Sequence, residues 1–210
     1  DHFRGLERYY SVPAGAEDAT EGEWLPGPGV RLFYEIRRRC GDVDIIAEDL
    51  GETDAGVTRL MERTGFPGMK VLQFAFDGNP DNPYLPANFS ENSVVYTGTH
   101  DNDTTLGYLN SLTDEQFADF KTQLRAALKS EGVVHPFVTR EQTVWALNTC
   151  ALASSAGIAV LPVQDVTCAD GSARMNVPAR PEGNWRYRLE AFPSRRSLAL
   201  LKRAIEENYR

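Results

Sequence analysis

The sequence predicts an α/β fold in which a parallel sheet is covered by crossover helices. Three observations carry that reading. Short, nearly continuous apolar runs, of the kind buried on both faces of a sheet, occupy residues 43–47, 70–76, 94–99 and 158–163. Segments with helical spacing fall between and after them, and no β-hairpin signal interrupts the alternation, so βα units are the economical architecture. Two of the runs also end in acid: residues 43–47 lead into Glu48-Asp49, and residues 94–99 into His100-Asp101-Asn102-Asp103. A carboxylate at the downstream end of a parallel strand sits at the mouth of an α/β fold, where catalytic groups collect.

The helices are predicted over residues 30–39, 55–63, 114–129, 141–153 and 195–208. Thr113 stands three before Gln116, and Thr139 three before Gln142, each a capping box that would satisfy orphan amides at a helix start. The loops are unequal. Residues 77–92 and 164–188 are long and rich in Gly, Pro, Asn and aromatic side chains, a size that in a compact domain marks function or mobility. A further Gly/Pro segment, residues 21–29, carries Trp24, which reads equally as a sugar-stacking platform or as a plug for the core.

With 41% hydrophobic and 25% charged residues the chain falls in the ordinary globular class. Its 22 basic against 30 acidic residues give a formal charge of -8, which disfavours nucleic acid or an anionic membrane as the main partner. Cys40, Cys150 and Cys168 are odd in number and far apart, so reduced thiols are expected rather than a disulfide framework or a zinc site. The first residues do not read as a secretory leader, and no apolar stretch approaches the roughly 20 residues of a membrane span. A cytoplasmic protein is the expectation, with a plastid as the alternative for a plant or alga.

Phosphate-binding glycine loops, dinucleotide fingerprints, nucleophile elbows and zinc motifs are all missing from the sequence, so what remains for chemistry is acid. Asp1-His2, Glu48-Asp49 and His100-Asp101 form three acidic sites that a barrel would bring to one rim. Paired carboxylates, one protonated and one ionised, are the equipment for glycosidic bond cleavage. Two other readings stay open on the residues alone. Such acids commonly cap helices or form surface ion pairs, and Asp1, His2, Glu48, His100 and Asp101 together would also offer mixed O/N ligands to a cation.

Six segments then cease to be generic: DHFRG (residues 1–5), IIAEDLG (45–51), GFPGMKVLQFAFD (65–77), NPYLP (82–86), VVYTGTHDNDTTLGY (94–108) and EGNWRYRL (182–189). Together, and in this order, they resemble the 4-alpha-glucanotransferases known as amylomaltases or disproportionating enzymes, over effectively the whole chain. The resemblance implies a (β/α)8 TIM barrel of the α-amylase superfamily. It also implies that these residues are only the downstream part of that single catalytic barrel, about strands 4 to 8, since four strands cannot close eight and a barrel takes about 250 residues.

The resemblance assigns roles residue by residue. Asp1 matches the nucleophile that attacks the anomeric carbon, Glu48 the acid/base that protonates the leaving oxygen and then activates the acceptor, and Asp101 the third carboxylate, which orients sugar hydroxyls in the transition state. A retaining mechanism needs nucleophile and acid/base about 5 to 5.5 Å apart. His100 is expected to bond the sugar at the cleavage point, with His2 close by; a purely structural imidazole is the alternative for each. Asp77, Asn176 and Trp24 are expected along the glucan groove. The implied reaction moves a 1,4-alpha-glucan segment to the 4-hydroxyl of another glucan and calls for no metal, nicotinamide, flavin or nucleotide. A metal-dependent barrel enzyme and a non-catalytic remnant remain the competing readings, and a fragment lacking the upstream strands is expected to be poorly active.

Overall fold

The computed structural model describes residues 2–51 and 54–208, which fall into two compact units, Asp1–Met69 and Lys70–Arg210. In the first unit the short helix α1 (Arg4–Glu7) leads into β1 (Arg8–Ser11), which pairs antiparallel with β2 (Glu23–Pro26) in the register Arg8↔Pro26 to Ser11↔Glu23. This pair corrects the expectation of a chain without hairpins. Its connection, residues 12–22, is too long to carry the tight-turn signature that betrays a hairpin in sequence.

Helix α2 (Val30–Cys40) and helix α3 (Ala55–Thr64) follow, close to their predicted bounds. Asp54 caps α3 by accepting from the N–H groups of Gly56 and Val57, and Gly65, at φ +67°, ends it in the left-handed conformation that glycine adopts most cheaply. The unit's core is an aromatic cluster. Phe3 stacks on Phe33 with ring centres 5.7 Å apart, and Phe66 meets Phe33 edge-on at 4.9 Å, over Ala47, Val57 and Leu60.

The run at residues 43–47 does not form the buried strand predicted for it. Only its end pairs, through parallel bridges Ala47↔Gly68 and His2↔Glu48, and Val43 and Ile46 are exposed. A continuous ladder needs neighbours along its whole length, and among the described residues these exist only at Ala47 and Glu48.

A three-stranded sheet has the order β3 (Gly68–Val71), β4 (Ser93–Tyr96), β5 (Ile158–Val160), with β4 and β5, both of the second unit, parallel. The run predicted as one strand over residues 70–76 stops at Val71 and turns into a 3₁₀ turn, Leu72–Phe74. The cause is tertiary: the Gln73 N–H bonds to the Thr97 carbonyl beyond the end of β4, and its side chain reaches the Asp103 carbonyl, which coils the chain inward. The run at 158–163 likewise shortens, because helix α7 (Val163–Val166) starts at its end. As an edge strand β5 packs a half-buried Ala159 against the core while Ile158 and Val160, on the other face, stay exposed.

Helices α4 (Thr105–Ser111), α5 (Asp114–Ser130), α6 (Arg140–Ala153) and α8 (Arg195–Glu207) complete the unit. Both predicted capping boxes are formed, Thr113 with Gln116 and Thr139 with Gln142. Helix α6 is the central element, with Val144, Leu147, Asn148, Cys150 and Ala151 all fully buried, as expected for a helix apolar on nearly every side. Helix α5 lays Phe117, Phe120, Leu124 and Leu128 on the same core. Cys40, Cys150 and Cys168 are free thiols.

Candidate functional site

The acids singled out by sequence fall in both units. Asp1 lies outside the described residues. In the first unit the backbone around Glu48 is pinned on each side: its carbonyl accepts the Phe3 N–H at 2.7 Å, and Ala47 N–H donates to the Pro67 carbonyl at 2.9 Å. Asp49 fastens the next step by accepting the Met69 N–H at 2.7 Å. A Cβ on Gly68 would stand 2.4 Å from the Asp49 carboxylate, so a side chain there would displace that carboxylate from its bond to Met69.

His2 is tied to the same stretch. Its Nε2 pairs with the Leu50 carbonyl and its Nδ1 accepts the Arg4 N–H at 3.0 Å, so both ring nitrogens are engaged by backbone. His2 and Trp24 line one hollow of about 540 Å³ together with Tyr9, Tyr10 and Arg8. Trp24 is 50% exposed, meets Tyr10 edge-on at 5.3 Å and carries the Arg8 guanidinium 5.5 Å from its ring centre. It does not fill the core of its unit, which removes the plug reading and leaves an open aromatic face.

The second unit gathers a tighter constellation. The chain leaving β4 forms a compact turn in which the Asn102 side chain accepts from both the N–H and the hydroxyl of Thr99, at 2.8 and 2.9 Å, and presents His100 and Asp101 outward. His100 Nε2 stands 3.3 Å from Asp101 Oδ1, with both side chains about half exposed. Asn176, far away in sequence, donates its Nδ2 to that same oxygen at 2.6 Å and its backbone N–H to the His100 carbonyl at 3.1 Å. The structure thus brings His100, Asp101 and Asn176 together. Asp77 is a separate case: its exposed carboxylate accepts the Asn79 N–H at 2.9 Å, and that bond, with the Asn82 side chain, holds it below the usual carboxylate range.

Two residues escaped the sequence reading. Arg174 donates to the Asp101 carbonyl at 2.6 Å and to the Asn176 carbonyl at 2.8 Å, clamping the two loops together through its fork of donors. Trp185 places its indole 5.0 Å from the His100 ring. Its backbone sits at φ +62°, costly for a bulky residue, and is held there by its N–H bond to the Met175 carbonyl at 2.7 Å. The signal for Trp185 was present in the EGNW segment; Arg174, two before Asn176, had none beyond proximity. The arrangement offers a fixed carboxylate oxygen, an imidazole and an exposed indole face, which suits hydrogen bonding and stacking to a polyhydroxylated ligand. Among the described residues no three His, Cys, Asp or Glu side chains form a group able to hold a metal ion, and no helix is long and apolar enough to cross a membrane.

Comparison with solved structures places this mixed α/β architecture in one class, that of the amylomaltases. The amylomaltase from Streptococcus agalactiae in complex with acarbose matches 100% of this chain and 41% of its own, with a TM-score of 0.85 and 31% identity. The amylomaltase from Corynebacterium glutamicum, at 18% identity, shares the fold with a TM-score of 0.71. A family model described as 4-alpha-glucanotransferase matches residues 1–194, and the chain belongs to that family. Among relatives, the 4-alpha-glucanotransferase of Thermus thermophilus is 47% identical over 191 residues, 90% of this chain and 37% of the relative. The chloroplastic/amyloplastic 4-alpha-glucanotransferase of Arabidopsis thaliana is 42% identical over 195 residues, 92% of this chain and 32% of the relative. The chain therefore spans about a third of the length of the curated relatives it matches.

Proposed function

We propose that the protein carrying this chain is a 4-alpha-glucanotransferase, moving a segment of a 1,4-alpha-glucan to the 4-hydroxyl of glucose or another glucan by a retaining double displacement. The observation that carries this reading is the 47% identity to the Thermus thermophilus enzyme across 90% of the chain. In this reading the chain supplies about strands 4 to 8 of a single (β/α)8 barrel. Asp1 is the nucleophile, Glu48 the acid/base and Asp101 the transition-state stabiliser. His100 and Asn176 bind sugar hydroxyls beside Asp101, while His2, Trp24 and Asp77 belong to the groove. Acarbose on the Streptococcus agalactiae relative supports maltooligosaccharides as the ligand class. The acidic balance fits a neutral polymer better than nucleic acid or a membrane surface. The location proposed is the cytoplasm, or a plastid if the source is a plant or alga.

Transfer and hydrolysis share the same glycosyl-enzyme, and what separates them is whether sugar or water reaches it. The Trp185 indole against His100 and the aromatic hollow of Trp24, Tyr9 and Tyr10 are surfaces that would favour a sugar acceptor. The test is incubation of the complete protein with maltotriose, following glucose and longer maltooligosaccharides. Both should accumulate, chelator should leave the rate unchanged, and Glu48→Gln should abolish transfer. Turnover retained by that variant, or activity lost to chelator alone, rejects the assignment.

A further inference from the structure

The second unit buries a carboxylate to which no step of the proposed reaction gives a role. Asp165, on α7, is 2% exposed. Three donors converge on it: the Thr97 hydroxyl, the Thr105 N–H at 2.9 Å and the Thr105 hydroxyl at 2.7 Å. Thr97 is the residue that follows β4, and Thr105 is the first residue of α4; both are fully buried. They are the two ends of the segment that carries His100 and Asp101. The Asp165 backbone is held in turn by Asn148 of α6, whose Nδ2 donates to its carbonyl at 3.2 Å.

The chemistry of the site asks for a carboxylate in particular. The Thr105 N–H can only donate, and the two hydroxyls are free to donate, so an all-acceptor partner satisfies the three together. An ionised carboxylate takes all three as charge-assisted bonds, whereas an amide of the same shape would keep the Thr105 N–H but turn both hydroxyls into acceptors of its N–H₂, replacing that grip by weaker neutral bonds. Burial pushes the Asp165 carboxyl up, and the three donors offset only part of that rise. A carboxylate so enclosed, with three bonds to the two ends of one segment, is placed to hold that segment in position. The position of Asp165 fits such a use. It stands directly before the loop that delivers Arg174, Asn176 and Trp185, so it holds the root of one loop to both roots of the other.

We propose that Asp165 is a positioning residue: by gripping Thr97 and Thr105 it fixes both ends of segment 98–104 and so sets the placement of Asp101 and His100 for glycosyl transfer. This rests on the reading of Asp101 given above. The test measures kcat and KM for maltotriose disproportionation in the complete protein, with Asp165→Asn made in the parent and in an Asp101→Asn background. In the parent, kcat should fall by roughly 10- to 100-fold, the scale of a small misplacement of a reacting group, with KM within about twofold. In the Asp101→Asn background the further loss should shrink to less than about threefold, because the placement of a carboxylate already removed no longer matters.

Parental kcat in Asp165→Asn, or the same fold loss in both backgrounds, overturns the proposal, the second because it marks a general stability role. If Asp165→Asn does not fold, Thr105→Ser against Thr105→Val decides. The serine keeps the hydroxyl and should stay near parental, while the valine should lose kcat, and equal values for the two overturn the proposal. A parent that makes no longer oligosaccharide, or an Asp101→Asn variant at parental rate, rejects the functional reading and this inference with it. An active parent with an impaired Asp101→Asn and an unaffected Asp165→Asn rejects this inference alone.

Discussion

Asn176→Ala isolates one hydrogen bond in the candidate site. The substitution deletes the Nδ2 donor that lies 2.6 Å from Asp101 Oδ1, but it leaves the backbone bond from residue 176 to the His100 carbonyl and both Arg174 bonds, since all of these use main-chain atoms. His100 Nε2, at 3.3 Å, remains as a weaker neighbour of the same oxygen. A hydrogen bond to a charged acceptor contributes about 1.5–3 kcal/mol net. The Asp101 side chain is 48% exposed, so water replaces part of what is lost, and roughly 1–2 kcal/mol is the appropriate range. At about 1.4 kcal/mol per decade this is a 5- to 30-fold fall in kcat for maltotriose disproportionation. KM should move less than about twofold if Asp101 acts mainly in the transition state. Asn176→Asp sets a second carboxylate against the first and should lose more than the alanine variant at neutral pH, because like charges in contact repel. A parental kcat in Asn176→Ala, or a better rate in Asn176→Asp than in Asn176→Ala, refutes the claim that Asn176 orients Asp101.

Two further outcomes follow from titrating groups. The Arg8 guanidinium, with the N–H groups of Val57 and Gly56, holds the Asp54 carboxyl down to about 2. A depressed folded value means that the stabilisation of the α3 start is fully present above about pH 4 and is lost as pH falls through about 2; a carboxyl carbon titration by NMR with its midpoint near 4 would contradict this. Burial pushes the Cys150 thiol up to about 12, whereas Cys40 is exposed. Iodoacetamide at pH 8 should therefore label Cys40 in the native protein and spare Cys150 until denaturant is added, and equal labelling rates would show that α6 is not packed as described.

The sequence by itself determined most of the helices and the family. Helices α2, α3, α5, α6 and α8 stand within about two residues of their predicted ends, because periodicity, capping boxes and terminal glycines act within a few residues of one another. His100 and Asp101 were legible for a similar reason, as neighbours at the end of one apolar run. Tertiary structure decided the rest. The run over residues 70–76 is as apolar as a strand, yet it coils after Val71 because Gln73 has partners at Thr97 and Asp103. The β1–β2 pair left no trace, since its strands meet across a long connection. Asn176 joins Asp101 across a separation of 75 residues, Arg174 across 73, and Asp165 grips Thr105 across 60. No local pattern encodes a contact of that kind. It exists only because the sheet and its loops bring distant residues together, which is why Asp101 and Asn176 could be named from the resemblance while the bond between them, and the parts played by Arg174 and Asp165, could not.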